Sequence, residues 1–144
     1  MDQITKIVVQ QWMTLHVSYG ILGDVIQLTY IRNPGAAFGI MLGGRWFYLV
    51  LSSIACIVMI YYLTKLPPEE HTGRYAMMAI LGGAFGNLID RIFYGEVTDF
   101  IDIGFGFYRW PVFNVADTAI TIGFILLFTR LSAINRILKD ETPS

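Results

Sequence analysis

Two aspartates stand out for the chemistry they can do together. Asp117 lies in FNVADTAITIGF, two residues into an apolar run, and Asp99 lies in EVTDFID among aromatic and β-branched residues. An ionisable group at the edge of an apolar span is costly to hold there and is by default a functional-site candidate. Each aspartate also has a plainer reading. Asp117 fits a helix N-cap, accepting hydrogen bonds from free N–H groups, and Asp99 fits a strand end or turn. Asp102, three residues beyond Asp99, is the competing carboxylate on the same segment.

Two carboxylates held about 3 Å apart cannot both ionise, so they share one proton and one pKa rises. The ionised member takes a proton from water as general base. The protonated member polarises a scissile carbonyl and then helps protonate the leaving amine. Neither metal nor cofactor is required, and none is expected. Other schemes fit less well. His16 and His71 are far apart, lack metal-ligand spacing and read as loop or surface histidines. No serine sits in a nucleophile elbow, and no G-x-x-x-x-G-K-[ST] phosphate loop is present. The single cysteine, Cys56, lies inside an apolar run and reads as a small buried or lipid-facing residue.

Further polar residues gather at the ends of the apolar runs. Asp2 and Lys6, in DQITK, have the i, i+4 spacing that pairs on one helix face. Asn33 belongs to the turn-like Asn33-Pro34-Gly35, and with Arg32 is expected to face the site. Asn87, Asp90 and Arg91 fall in GNLIDR, where Asn87 shares a helical face with Asp90 or with Arg91, and Asn114 precedes Asp117 by three residues. Each alone is most simply a turn or cap residue. Their recurrence at the ends of separate runs favours a shared site.

The runs are the elements that must position these groups. Residues 46–64 are nineteen residues without a charge, flanked by Arg45 and Lys65, with aromatics at both ends. At about 1.5 Å per residue they match the hydrocarbon thickness of a bilayer. The polar KLPPEEHTGR, 65–74, is expected as a loop. Residues 75–89 form a second run, short for a span, in which Gly82, Gly83, Ala84 and Gly86 allow close helix approach. A third run covers 115–131, followed by a polar tail over 132–144 expected to be mobile beyond Lys139. Residues 24–32 alternate and are β-prone, predicting a strand, and 95–113 predict strand or irregular structure at the membrane interface.

The composition agrees. The 144 residues are 55% hydrophobic and 15% charged, with a mean hydropathy of +0.56. Soluble domains carry roughly 25% charged residues, so a membrane protein of one domain, 1–144, is expected. A net charge of -1 gives no basic surplus for nucleic acid. No cleavable signal peptide is read at the N-terminus. Lys and Arg divide evenly between the two sides that three spans imply, so they do not orient the chain. Most acids fall on the side holding 1–45 and 90–114.

DQITK (2–6), RNPGAAFGI (32–40), GGAFGNLIDR (82–91), VTDF (97–100) and FNVADTAITIG (113–123) resemble, in order and spacing, five blocks of the lipoprotein signal peptidase (signal peptidase II) family. The resemblance covers nearly the whole chain. It implies a mainly α membrane protein, a bundle of transmembrane helices with a small β-rich interfacial element. It implies an aspartic endopeptidase of the bacterial inner membrane with its site near the periplasmic face. The implied substrate is a prolipoprotein, cut just before its diacylglyceryl-modified cysteine, and the implied surroundings are membrane lipid and a monomeric enzyme. The family's catalytic aspartates fall on Asp99 and Asp117, and its supporting residues on Asp2, Lys6, Asn33, Asn87, Asp90, Arg91 and Asn114. Family members have four spans, the first closed by the block matching DQITK. Met1 directly precedes Asp2, so most of that first span is expected to be missing. The competing readings are a small proton-coupled transporter, which would place its acids in mid-span, and a catalytically inactive truncated fragment.

Overall fold

In an apolar solvent every backbone N–H and C=O must find a partner within the chain, and a helix satisfies this segment by segment. The runs fold accordingly. The structure is a computed structural model that describes residues 1–35 and 43–140. Its element order is α1 (Asp2–Trp12), β1 (Ser18–Leu22), β2 (Ile26–Asn33), α2 (Arg45–Lys65), α3 (His71–Phe93), β3 (Val97–Phe105), β4 (Tyr108–Arg109) and α4 (Val115–Asp140). The AAFGI half of the second block, 36–40, and the last four residues of the tail lie outside the described residues.

Helix α2 has 21 residues, about 31 Å of rise. Its Val50, Leu51, Ile54 and Ile57 are exposed. A contiguous outward apolar surface of this kind is stable against lipid rather than water. Helix α3 has 23 residues and is longer than the run 75–89 that marks it. The loop after α2 ends at Glu70, not Arg74, because the Glu70 carboxylate accepts the Gly73 N–H at 3.3 Å and starts the helix at His71. Among the described residues, α2 and α3 are long and apolar enough to cross a membrane.

The β segments form one antiparallel sheet in the order β1-β2-β3-β4. The expected strand over 24–32 is β2, and the stretch 95–113 supplies β3, β4 and a bridge from Phe113 to Ile101. Strand β1 was not expected from its sequence. It pairs with β2 alone, through a turn at Gly23, whose φ of 51° is the left-handed region glycine tolerates. Every β1 residue is exposed, so its sequence carries no inward–outward alternation to read.

Helix α1 packs on this sheet through Val9, Tyr30 and Phe100, while Leu66, Met77 and Ile134 close the opposite ends of α2, α3 and α4. Between α3 and α4 the small residues act as expected, with one difference. A Cβ on Gly83 would collide with the Ala116 carbonyl oxygen, and one on Gly86 would lie 2.6 Å from the Asp2 carboxylate, whereas one on Gly82 would meet open space. Gly83→Val is therefore expected to destabilise by about 1–3 kcal/mol through overpacking. Gly82→Val should leave the midpoint nearly unchanged. Thermal unfolding of both variants in detergent micelles measures the difference.

Candidate active site

Five elements converge on one cavity of about 620 Å³, lined by Asn33, Asn87, Arg91, Asp99 and Asp117 together with apolar and hydroxyl side chains of α2 and α4. Asp99 comes from β3, and Asp117 from the first turn of α4. Asn33 ends β2, Asn87 and Arg91 belong to the last turns of α3, and Asn114 immediately precedes α4.

Asp117 is held by a reciprocal cap. The Asn114 Oδ1 accepts the Asp117 N–H at 2.9 Å, and the Asn114 N–H donates to Asp117 Oδ2 at 3.1 Å. This is the geometry of a capping box, with Asn114 as the cap and Asp117 three residues in. The two readings of Asp117 are thus not exclusive: one carboxylate oxygen helps begin the helix while the other is held by Asn87 Nδ2 at 2.7 Å. The same carboxylate borders the cavity.

Asp99 is 1% exposed. Its Oδ1 accepts Asn114 Nδ2 at 2.6 Å and its Oδ2 accepts Asn33 Nδ2 at 2.8 Å. Burial pushes its carboxyl up to about 6. The Asn33 N–H opposes that rise, the Asp117 carboxylate adds to it, and the Asn114 N–H and the Lys6 ammonium oppose it. Asp99 and Asp117 are therefore electrostatically coupled, and all four of their oxygens are oriented by N–H donors.

Asp102 serves the sheet instead. It accepts Thr29 Oγ1 at 2.6 Å and Arg109 Nε at 2.7 Å, pinning β4 and β2 to β3. Strand periodicity turns it to the face opposite Asp99.

A second polar cluster lies behind the cavity. The Lys6 ammonium is fully buried and contacts Asp2 Oδ2 at 2.9 Å, Asp90 Oδ2 at 3.1 Å and Asn87 Oδ1 at 2.9 Å. Asp2 also accepts the Ala116 N–H at 2.9 Å, a negative charge at the N-terminus of α4, where the helix dipole favours it. Asp90 accepts the Thr98 N–H at 3.0 Å and joins α3 to β3. Arg91 donates to the Gly35 carbonyl at 2.9 Å and the Asn87 carbonyl at 3.4 Å, which holds the turn carrying Asn33. Asn33, Asn87, Asp99 and Asp117 thus meet at the cavity, with Asn114 buried between the two aspartates and Asp2, Lys6 and Asp90 as a layer behind them.

Arg32 does not face the site. Its guanidinium stacks on Tyr30 and Tyr94, with centroid distances of 5.7 and 5.0 Å, and its Nε donates to the Tyr30 hydroxyl. Three residues not anticipated from sequence belong to the supporting layer. Gln3 Nε2 donates to Asp90 Oδ1 at 2.8 Å and to the Gly86 carbonyl at 2.9 Å, and Gln10 reaches the buried Thr98 hydroxyl at 2.8 Å. The signal for the glutamines was available: Gln3, Lys6 and Gln10 recur at three- and four-residue spacing, so the polar stripe of α1 is its inward face.

The family model described as signal peptidase (SPase) II matches residues 1–133. A lipoprotein signal peptidase of Halalkalibacterium halodurans is 42% identical over 141 residues, which is 98% of this chain and 90% of that protein. One of Bacillus pumilus is 38% identical over 142 residues, 99% of this chain and 92% of that protein. A bacterial membrane enzyme solved by the in meso method at 2.3 Å resolution superposes with a TM-score of 0.84 at 35% identity, covering 98% of this chain and 82% of that one.

Proposed function

Because this chain belongs to the signal peptidase II family, we propose that it is an aspartic endopeptidase that removes signal peptides from prolipoproteins, cutting just before the diacylglyceryl-modified cysteine. The observation that carries the reading is the pair Asp99 and Asp117. The two carboxylates come from different elements, border one cavity, and have each oxygen held by an N–H donor.

In this reading the pair enters each turnover with one shared proton. The ionised carboxylate removes a proton from a water that attacks the scissile carbonyl carbon. The protonated carboxyl gives its proton to the carbonyl oxygen, and a tetrahedral gem-diol forms. The C–N bond then breaks, the amine leaves with a proton from one carboxyl, and the diol collapses to the new carboxyl group as one of its hydroxyl protons passes to the other carboxylate. The dyad returns to its singly protonated state with one water consumed. Asn33 and Asn114 orient Asp99, and Asn87 with the Asn114 backbone orients Asp117. Asp2 and Asp90 close around Lys6 behind them, and Arg91 holds the turn that carries Asn33.

The chain works as a single membrane-embedded domain over 1–144 and as a monomer, with α2, α3 and α4 crossing the bacterial inner membrane and membrane lipid around them. The sheet and the dyad sit toward the periplasmic face, where the tethered substrate presents its cleavage site. The block that closes the first of the family's four spans, DQITK, opens α1. The test is cleavage in liposomes of a prolipoprotein carrying the diacylglyceryl-modified cysteine, beside the same precursor unmodified. The modified precursor should yield a product beginning with the lipidated cysteine. Equal cleavage of both, or cleavage at another bond, would contradict the substrate assignment.

The buried Asp99 also sets a pH dependence. Its carboxyl is raised to about 6, so in the free enzyme the shared proton leaves as pH rises through that value. kcat/KM should fall there with a one-proton slope. Asn33 donates to the ionised form and holds the pKa down. Asn33→Ala is therefore expected to move this falling limb to higher pH. A limb that stays fixed or moves down would show that Asp99 is not the group titrating.

A further inference from the structure

Helix α1 touches the catalytic cavity with none of its charged side chains. Asp2 and Lys6 do not line it, whereas Asn87 does. Yet Lys6 sends its fully buried ammonium between α1 and α3 to a side-chain amide. An ammonium has three donors and no acceptor, and here they meet Asp2, Asp90 and Asn87 Oδ1. The two carboxylates account for charge balance. The third bond has a different consequence.

We propose that Lys6 is a positioning residue for the reaction, whose ammonium fixes the orientation of the Asn87 amide and through it the Asp117 carboxylate. This rests on the peptidase reading given above. An asparagine amide can sit either way round, and its neighbours decide which. With Oδ1 against Lys6, Nδ2 is left to donate to Asp117 Oδ1 at 2.7 Å. The flipped amide would set N–H groups against the ammonium and an oxygen against the carboxylate, two repulsions in place of two hydrogen bonds. Asn114 Nδ2 reinforces the same orientation, donating to Asn87 Oδ1 at 3.1 Å and to Asp99 Oδ1 at 2.6 Å. One directional chain therefore runs from Lys6 through Asn87 to Asp117, and Asn114 ties it to Asp99. Apolar packing could seat α1 against the sheet but could not choose between the two amide orientations.

The test is a double-mutant cycle on Lys6 and Asn87, scored by kcat and KM for a diacylglyceryl-modified prolipoprotein in liposomes, with thermal unfolding of each variant. Lys6→Met should lower kcat by about 10–100-fold and leave KM within about 3-fold. In an Asn87→Ala background the same change should cost less than about 3-fold, because the amide it orients is gone. Equal fold-losses in both backgrounds, or a loss carried by KM alone, would overturn the proposal in favour of a purely structural lysine. If Lys6→Met does not fold, the cycle is run with Asp90→Asn in every member, which removes the charge facing Lys6 and keeps the same two criteria. An active parent with an inactive Asp117→Asn and equal Lys6 losses removes the positioning role alone. An inert parent removes that role and the peptidase reading together.

Discussion

Asp117→Asn and Asp99→Asn are each expected to lose at least about 10³-fold in kcat while remaining folded. Positioned proton transfer alone supplies about 10²–10⁴-fold, and in a dyad neither carboxyl can replace its partner, because one must accept the water proton while the other donates. The amide of an asparagine can do neither at neutral pH. Folding should survive because the substitution is nearly isosteric. At position 117 the remaining oxygen can still accept one of the two N–H groups that now hold the carboxylate, from Asn87 or from the Asn114 backbone. At position 99 burial works against the ionised form, so removing the charge offsets part of the lost hydrogen bonding. Steady-state cleavage with a detergent thermal melt on the same preparations checks both halves. A variant that keeps more than about a tenth of the parent rate would remove that aspartate from the chemistry.

Asp90→Ala is expected to give the largest loss of stability. Asp90 is fully buried and ties α3 to two other elements, through Lys6 of α1 at 3.1 Å, Gln3 of α1 at 2.8 Å and the Thr98 N–H of β3 at 3.0 Å. Removing it leaves a buried ammonium with part of its compensation and a buried backbone donor with none. Breaking a buried ion pair from one side costs about 3–5 kcal/mol, and an orphaned buried donor adds to this. For a chain of this size that corresponds to a fall in Tm on the order of 10 °C. Asp90→Asn keeps an acceptor for Thr98 and should fall between parent and alanine. Equal melting of all three would show that the cluster contributes no stability. Asp99 and Asp117 should behave in the opposite way, with a large loss of rate and a small loss of Tm, and this contrast separates the two layers of carboxylates.

Much of this division was legible in the sequence, for local reasons. The Asp2–Lys6 pair follows from i, i+4 spacing on a helix, and the apolar runs follow from the need to satisfy backbone groups in lipid. The capping box at Asn114 and Asp117 is also local, a three-residue spacing at the start of a run. What spacing could not decide was long-range. Asp99 and Asp102 lie on opposite faces of one strand, but which face meets the site is shown only by the arrival of Arg109 and Thr29 at Asp102, and of Asn33 and Asn114 at Asp99. Its neighbour Asn33 suggests that Arg32 faces the site, but adjacent strand residues point to opposite faces, and the aromatic rings of Tyr30 and Tyr94 claim it. The start of α3 is hidden in sequence because the Glu70 carboxylate, one more charge in a polar loop, is also the cap that accepts the Gly73 N–H.

The most direct measurement is mass spectrometry of the products formed when this chain meets a diacylglyceryl-modified prolipoprotein in liposomes, beside the Asp99→Asn/Asp117→Asn double variant. The expected result is a mature lipoprotein whose first residue is the lipidated cysteine from the parent chain, and uncut precursor from the double variant. The same product from both proteins would contradict the aspartate pair. Uncut precursor from both, with a folded parent, would contradict the peptidase activity of this chain.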